Sequence, residues 1–283
     1  MRFRLVLPLA ALALAGCVSF PSVPKEADQN LIDAAWPYAL LSYNAYHDGP
    51  PAFRLPWRFA RVDAVPNDDI GLAYDVYRER RSDGDYLVFA FRGTEKPDDA
   101  SVWTNCDWLY GNFRTDQQRR AEAVVRKYDS GVPPDHLIFA GHSLGGGIAT
   151  HLSYIFTGSS IYVFDTSPRA DKPSGYVLTN TDRLPYRRTA VAQRFEALRF
   201  VRLFGNEPRE YSLPVECMHG SPLDRHAMRP LAICLTRLAA AGTYNAIGLE
   251  AMDTIRNNPE LFSRMPPPIT SSKPPTCEKK RSH

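Results

Sequence analysis

Long apolar runs, cysteines and a surplus of one charge sign are all scarce in this chain. The run Leu5 to Ala15 is too short to cross a bilayer as a stable helix. Behind Arg2 and Arg4 it has the layout of a secretory signal peptide. The net charge is +3, but it comes from the two ends. Arg2 and Arg4 supply part of it, and Lys273, Lys279, Lys280 and Arg281 against Glu278 supply the rest. The body between them is close to neutral, so no basic face for nucleic acid follows. No His/Cys cluster has the spacing of metal ligands, and neither a metal nor another cofactor is called for. There is no internal repeat. Besides Cys17 the chain holds Cys106, Cys217, Cys234 and Cys277. Export would permit disulfides, and four cysteines allow three full pairings. A Cys217–Cys234 bridge would brace the histidine region between them.

What is present is ordinary globular composition, 44% hydrophobic and 23% charged, organised around Leu137 to Gly147, LIFAGHSLGGG. Its first four residues form a short apolar run, the mark of a buried strand. Gly141-His142-Ser143-Leu144-Gly145 fits G-x-S-x-G, and IATHLSYIF continues as a helix. Strand, tight turn and helix are the context in which such a serine is exposed on a strained elbow. A serine hydroxyl is a poor nucleophile at neutral pH, so it needs a base within reach and an acid to orient that base. In this layout they follow in the order Ser, acid, His. His151 is too deep in the elbow helix to reach back. His219 and His226 both lie between the last strand and the last helix, and His226, at the expected start of that helix, ranks first. Asp165, ending the strand after the elbow helix, is the favoured acid, because carboxyl ends of parallel strands line the ligand crevice. Glu196 and Glu207 follow later strands and are the alternatives. Donors for a developing oxyanion are expected from the backbone N–H of Leu144 and from Thr94.

Around this centre, strands are expected at Arg58 to Val65, Leu72 to Arg78, Tyr86 to Phe91, Ser160 to Asp165, Arg188 to Gln193 and Glu210 to Cys217. Ser82 to Asp85 reads as a hairpin turn. Helices are expected over Asn30 to Tyr46 (interrupted at Pro37), Thr115 to Tyr128 and Arg225 to Ala241. Alternating strands and helices argue for a mostly parallel sheet covered by helices on both faces. The expected organisation is a signal peptide over 1–16, a tether over 17–28, one α/β domain over 29–264 and a Pro/Ser/Lys-rich disordered tail over 265–283.

Leu14-Ala15-Gly16-Cys17 resembles the lipobox of bacterial lipoproteins. The resemblance implies that Cys17 becomes the lipidated first residue of the mature chain, anchored in the cell envelope. Val18 in place of an aspartate favours the outer membrane. Phe91-Arg92-Gly93-Thr94, Gly141 to Gly146 (GHSLGG), Ser167-Pro168-Arg169, Asp107-Trp108-Leu109 and the ALLSYNAY ending of the first helix together resemble class 3 (fungal-type) lipases. That resemblance spans roughly Leu31 to Ala240. It implies the α/β-hydrolase fold, Ser143 as nucleophile, and Thr94 and Leu144 as oxyanion donors. It also implies a lipid or small ester as the partner. The family usually has Gly where Asp165 stands and places its acid after the next strand in a D-P-V-P setting. Asn206-Glu207-Pro208 is the nearest echo of that setting. Phe164-Asp165-Thr166-Ser167-Pro168 instead resembles the acid of pancreatic-type lipases. Lys96 to Cys106 stands in the place of the lipase lid, yet it is polar and lacks an amphipathic helix. The expected function is hydrolysis of carboxylic esters of lipids, acylglycerols or phospholipids. The alternative is a lipid-anchored envelope protein that uses a hydrolase fold without catalysis.

Overall fold

The computed structural model describes residues 25–93, 116–129, 131–167, 175–202, 212–242 and 246–261. One sheet of seven strands runs through them in chain order: β1 (Phe59–Val65), β2 (Tyr74–Arg81), β3 (Gly84–Phe91), β4 (Leu137–His142), β5 (Ser160–Phe164), β6 (Arg188–Gln193) and β7 (Ser212–Val215). β1 to β3 pair antiparallel, and a tight turn at Ser82-Asp83 brings Arg81 opposite Gly84. From β3 to β7 every pairing is parallel. β4 (LIFAGH) and β5 (SIYVF) are buried along their whole length, as strands covered on both faces must be.

The period-2 alternation of those strands divides the apolar core between two faces. Val88, Ala90, Ile138, Ala140, Tyr162, Phe164 and Val191 point to one side. There they meet α1 (Lys25–Asn44) and α5 (Met228–Gly242); between these two in chain order come α2 (Asp116–Tyr128), α3 (Leu144–Ile155) and α4 (Arg199–Arg202). Phe89, Phe91, Leu137, Phe139, Ile161 and Val163 point to the other, against Ala121 and Val125 of α2 and Ile148, Ala149 and Leu152 of α3. A mostly parallel sheet with helices on both faces, the elbow leading from the central β4 into α3, is the α/β-hydrolase fold.

Three elements differ from the sequence expectation. α1 continues through Pro37 instead of breaking there. A proline inside a helix costs about 3 kcal/mol, but Ala35, Trp36, Tyr38, Ala39, Leu40 and Leu41 are all buried. Burying that many apolar side chains, at roughly 1.5–3 kcal/mol for each large one, outweighs the penalty. The last expected helix starts later: Asp224–His226 is a 3-10 turn, Ala227 is extended, and α5 begins at Met228. A further helix, α6 (Ala246–Asn257), follows it. Pro230 therefore falls in the first turn of α5, where its missing N–H removes no helical hydrogen bond.

The disulfide Cys217–Cys234, with Cα atoms 5.7 Å apart, ties the segment after β7 to α5. A loop of this length stabilises by about 3 kcal/mol in the chain-entropy view. The whole 3-10 turn lies between its two cysteines. Cys106 and Cys277 lie outside the described residues.

Candidate active site

The carboxyl ends of β3 to β7 lie together along one edge of the sheet, because their register keeps Phe91 beside Gly141, His142 beside Phe164 and Gln193 beside Val215. The segments leaving these ends build the site. After β4 the chain turns sharply, with Ser143 at φ 54° and ψ −122°, a conformation L-residues adopt only under constraint. The constraint is visible. Ser143 N–H donates to the Phe164 carbonyl at 3.0 Å, and the Ser143 carbonyl accepts the Ser167 N–H at 2.8 Å. A Cβ on Gly145 would run into the Phe91 carbonyl of the neighbouring strand, so only glycine lets α3 start this close to β3.

The Ser143 hydroxyl lies 3.0 Å from His226 Nε2, and His226 Nδ1 lies 2.9 Å from Glu196 Oε2. All three residues are buried. Glu196 follows the end of β6, just after Phe195, which takes a left-handed φ of 63°. Its Oε2 also accepts the Leu198 N–H at 2.7 Å. Its Oε1 pairs with the Arg202 guanidinium, whose other arm donates to the Thr166 carbonyl at 2.9 Å. Burial pushes the Glu196 carboxyl towards the neutral form. The His226 hydrogen bond, the neighbouring His226 and Arg202 charges and the Leu198 amide together outweigh that, leaving its pKa below the ordinary value.

Asp165, ranked first as the acid on the sequence, is bonded elsewhere. It too is buried, with φ 40°, and its Oδ1 accepts the Gln193 N–H at 2.8 Å. Its own N–H donates to the Val191 carbonyl at 2.9 Å, so the residue stitches the end of β5 to β6. The hydrogen bond to the imidazole in this structure comes from the glutamate one strand further along, while Asp165 Oδ1 serves the adjacent strand end. Glu207 and Thr94 lie outside the described residues, as do Cys17 and the polar stretch in the lid position. Leu144, the first residue of α3, presents its N–H at the helix N-terminus, where amides have no intrahelical acceptor. His219 is exposed, and His151 sits within α3.

Three participants are not singled out by the sequence pattern: Tyr46, His142 and Arg202. His142 is buried, with Nδ1 2.8 Å from the Tyr46 hydroxyl and Nε2 2.9 Å from the His226 carbonyl. Burial first, and then the adjoining His226, depress its pKa well below the ordinary histidine value. In the sequence, Tyr46 and His142 stand only as letters of ALLSYNAY and GHSLGG. Arg202 is one of two cations, with Arg199, in the otherwise apolar LRFVRLF, and nothing in that stretch says which of them turns inward.

His142, Asp165 and His226 each offer a ligand atom within 4.8 Å of the others. Both nitrogens of each imidazole already have protein partners. The cluster therefore reads as a hydrogen-bond network, and a metal there would have to displace it. Chemically, the line from Ser143 through His226 to a buried carboxylate is compatible with a catalytic triad for acyl transfer.

A family profile described as phospholipase-like, the Tle-like phospholipase domain, matches residues 38–168. Similar solved structures include a triacylglycerol lipase whose catalytic centre is described as a serine protease triad. It is 14% identical, with a TM-score of 0.41, over 65% of this chain and 78% of that one. Rhizomucor miehei triacylglyceride lipase is 14% identical over the same shares, 65% and 78%, with a TM-score of 0.39. The Lip2 lipase of Yarrowia lipolytica is 16% identical over 64% and 75%, with a TM-score of 0.35. No curated protein matches the chain.

Proposed function

We propose that this chain, an ester hydrolase with a phospholipase-like domain over residues 38–168, cleaves carboxylic esters of acylglycerols or phospholipids through Ser143, His226 and Glu196. The observation that carries the reading is the unbroken line of hydrogen bonds from the Ser143 hydroxyl through both nitrogens of His226 to Glu196. Neutral His226 donates its Nδ1–H to Glu196 and so offers the Nε2 lone pair to the serine. Ser143 Oγ attacks the ester carbonyl, its proton passes to Nε2, and the tetrahedral oxyanion forms beside the Leu144 amide. His226 returns the proton to the departing alcohol, leaving an acyl-serine, and water repeats the cycle to release the acid. Throughout, Glu196 stays ionised and offsets the imidazolium charge.

The test is a panel of substrates: p-nitrophenyl esters of increasing acyl length, a triacylglycerol emulsion and phosphatidylcholine vesicles. The expected result is turnover of esters, with at least one lipid among the substrates. A folded protein inactive on all of them would favour the non-catalytic envelope protein instead.

The N-terminal sequence supports a second part of the proposal, a lipid anchor on Cys17 in the bacterial envelope. Mass spectrometry of the membrane fraction should find the mature chain beginning at an acylated Cys17. An unmodified Cys17 in soluble material would exclude the anchor.

A further inference from the structure

The contacts on the far side of His142 form a directed chain whose polarity can be worked out from one end. The His226 carbonyl can only accept, so the His142 nitrogen 2.9 Å from it, Nε2, carries a hydrogen. In a neutral ring Nδ1 is then an acceptor, and the Tyr46 hydroxyl, 2.8 Å away, donates to it. With its hydrogen so placed, the Tyr46 oxygen accepts the Gly93 N–H at 3.1 Å. The order runs from Gly93 N–H to Tyr46 Oη–H to His142 Nδ1, and from His142 Nε2–H to the His226 carbonyl.

We infer that Tyr46 and His142 are positioning residues that lock the backbone of the base and the turn after β3 into one register. This rests on the proposed triad. Gly93 immediately precedes Thr94, the expected oxyanion donor, and His226 is the proposed base. These two parts of the reaction come from strand ends far apart in sequence, and one neutral imidazole joins them.

The packing leaves the chain little freedom. A Cβ on Gly93 would collide with the Tyr46 hydroxyl and would stand 2.7 Å from the His142 carbonyl. Tyr46 follows the end of α1, and the loop after it is pinned by a two-way bond in which Asn44 Nδ2 donates to the Phe53 carbonyl and Phe53 N–H donates to Asn44 Oδ1. The groups facing His142 are Tyr46, Arg202, Asp165 and His226, whose ring centroid lies 4.8 Å away. His226 acquires a positive charge during turnover, so a second imidazolium at that separation would oppose it. A neutral His142 holds the base without repelling its charged form.

The experiment uses the full chain in two arms. In the wild type, 15N spectra of labelled histidine should show His142 protonated on Nε2, unprotonated on Nδ1, and not titrating between about pH 5 and 8. In Tyr46→Phe, kcat per active site, with sites counted by fluorophosphonate labelling, should fall about tenfold while KM stays within about twofold. That is the loss expected when one buried hydrogen bond no longer supports the transition-state geometry. A purely structural role would instead reduce the number of labelled sites and leave kcat per site unchanged. A hydrogen on Nδ1, titration of His142 in that range, or kcat per site within twofold of wild type would overturn the inference. If Tyr46→Phe does not fold, the wild-type spectra still decide. Absence of labelling in the wild type would sink the proposed triad separately, because the tautomer is read without turnover.

Discussion

Ser143→Ala is expected to lose about a millionfold in kcat on a p-nitrophenyl ester, and to lose fluorophosphonate labelling altogether, while still folding. The magnitude is that of removing the nucleophile from a triad whose members act as a unit. Folding should survive because the elbow is held by its backbone. The bonds to the Phe164 carbonyl and from the Ser167 N–H involve only the main chain of residue 143. Alanine at φ 54° is no more strained than serine, since both carry a Cβ. His226 keeps its Glu196 partner and its tautomer. Residual hydrolysis would come from the oxyanion donors and from binding alone. Labelling equal to wild type would place the nucleophile elsewhere and end the proposal.

Those parts of the site that depend on local chain geometry are legible in the sequence. Apolar runs bounded by turn residues mark β3, β4 and β5, since strands buried on both faces have no polar side to interrupt them. G-x-S-x-G is legible because close packing of α3 on β3 excludes a Cβ at Gly145. What depends on distance through space is not. Asp165 and Glu196 both follow parallel strands, and their sequence contexts do not say which arm reaches the imidazole. A strand end fixes where a carboxylate starts, and side-chain length and the following turn fix where it ends. Here Phe195 in the left-handed region precedes Glu196, and Arg202 meets that carboxylate from α4. Similarly, Pro37 signals an interruption by local rules, and only the burial of the residues around it overrides that signal. The placement of His226 in a 3-10 turn two residues ahead of α5 has the same character. The base is held by the His142 hydrogen bond to its carbonyl, and the disulfide ties down the segment around it. The helix expected to start at His226 begins beyond it.

Glu196→Gln is expected to lower kcat by about 10⁴-fold, and Asp165→Asn to leave it within about tenfold of wild type. An isosteric amide in the acid's position can turn its NH2 towards His226 Nδ1, stabilising the tautomer with hydrogen on Nε2. That tautomer has no lone pair for the Ser143 hydroxyl, and the comparable substitution in a serine protease triad has an effect of this size. The substitution also removes the anion facing the buried Arg202, and breaking a buried pair from one side costs about 3–5 kcal/mol. Activity must therefore be referred to folded, titrated protein. Stability against pH gives an independent reading of the same carboxylate. Its pKa in the folded chain lies below its ordinary value of 4.5, so the unfolded chain takes up the proton first as pH falls. The stabilisation from ionised Glu196 is full above the unfolded value and is lost as pH falls towards the folded one. In Glu196→Gln that contribution disappears, and the fall in stability on acidification below about pH 5 should become shallower. Asp165→Asn keeps an Oδ1 acceptor for the Gln193 N–H, so the join between β5 and β6 should hold and His226 should keep its tautomer. Collapse of Asp165→Asn with near-full activity in Glu196→Gln would transfer the role of acid to Asp165. Since Asp165 presents a ligand atom within 4.8 Å of one on His226, that outcome would mean the imidazole turns to it during turnover.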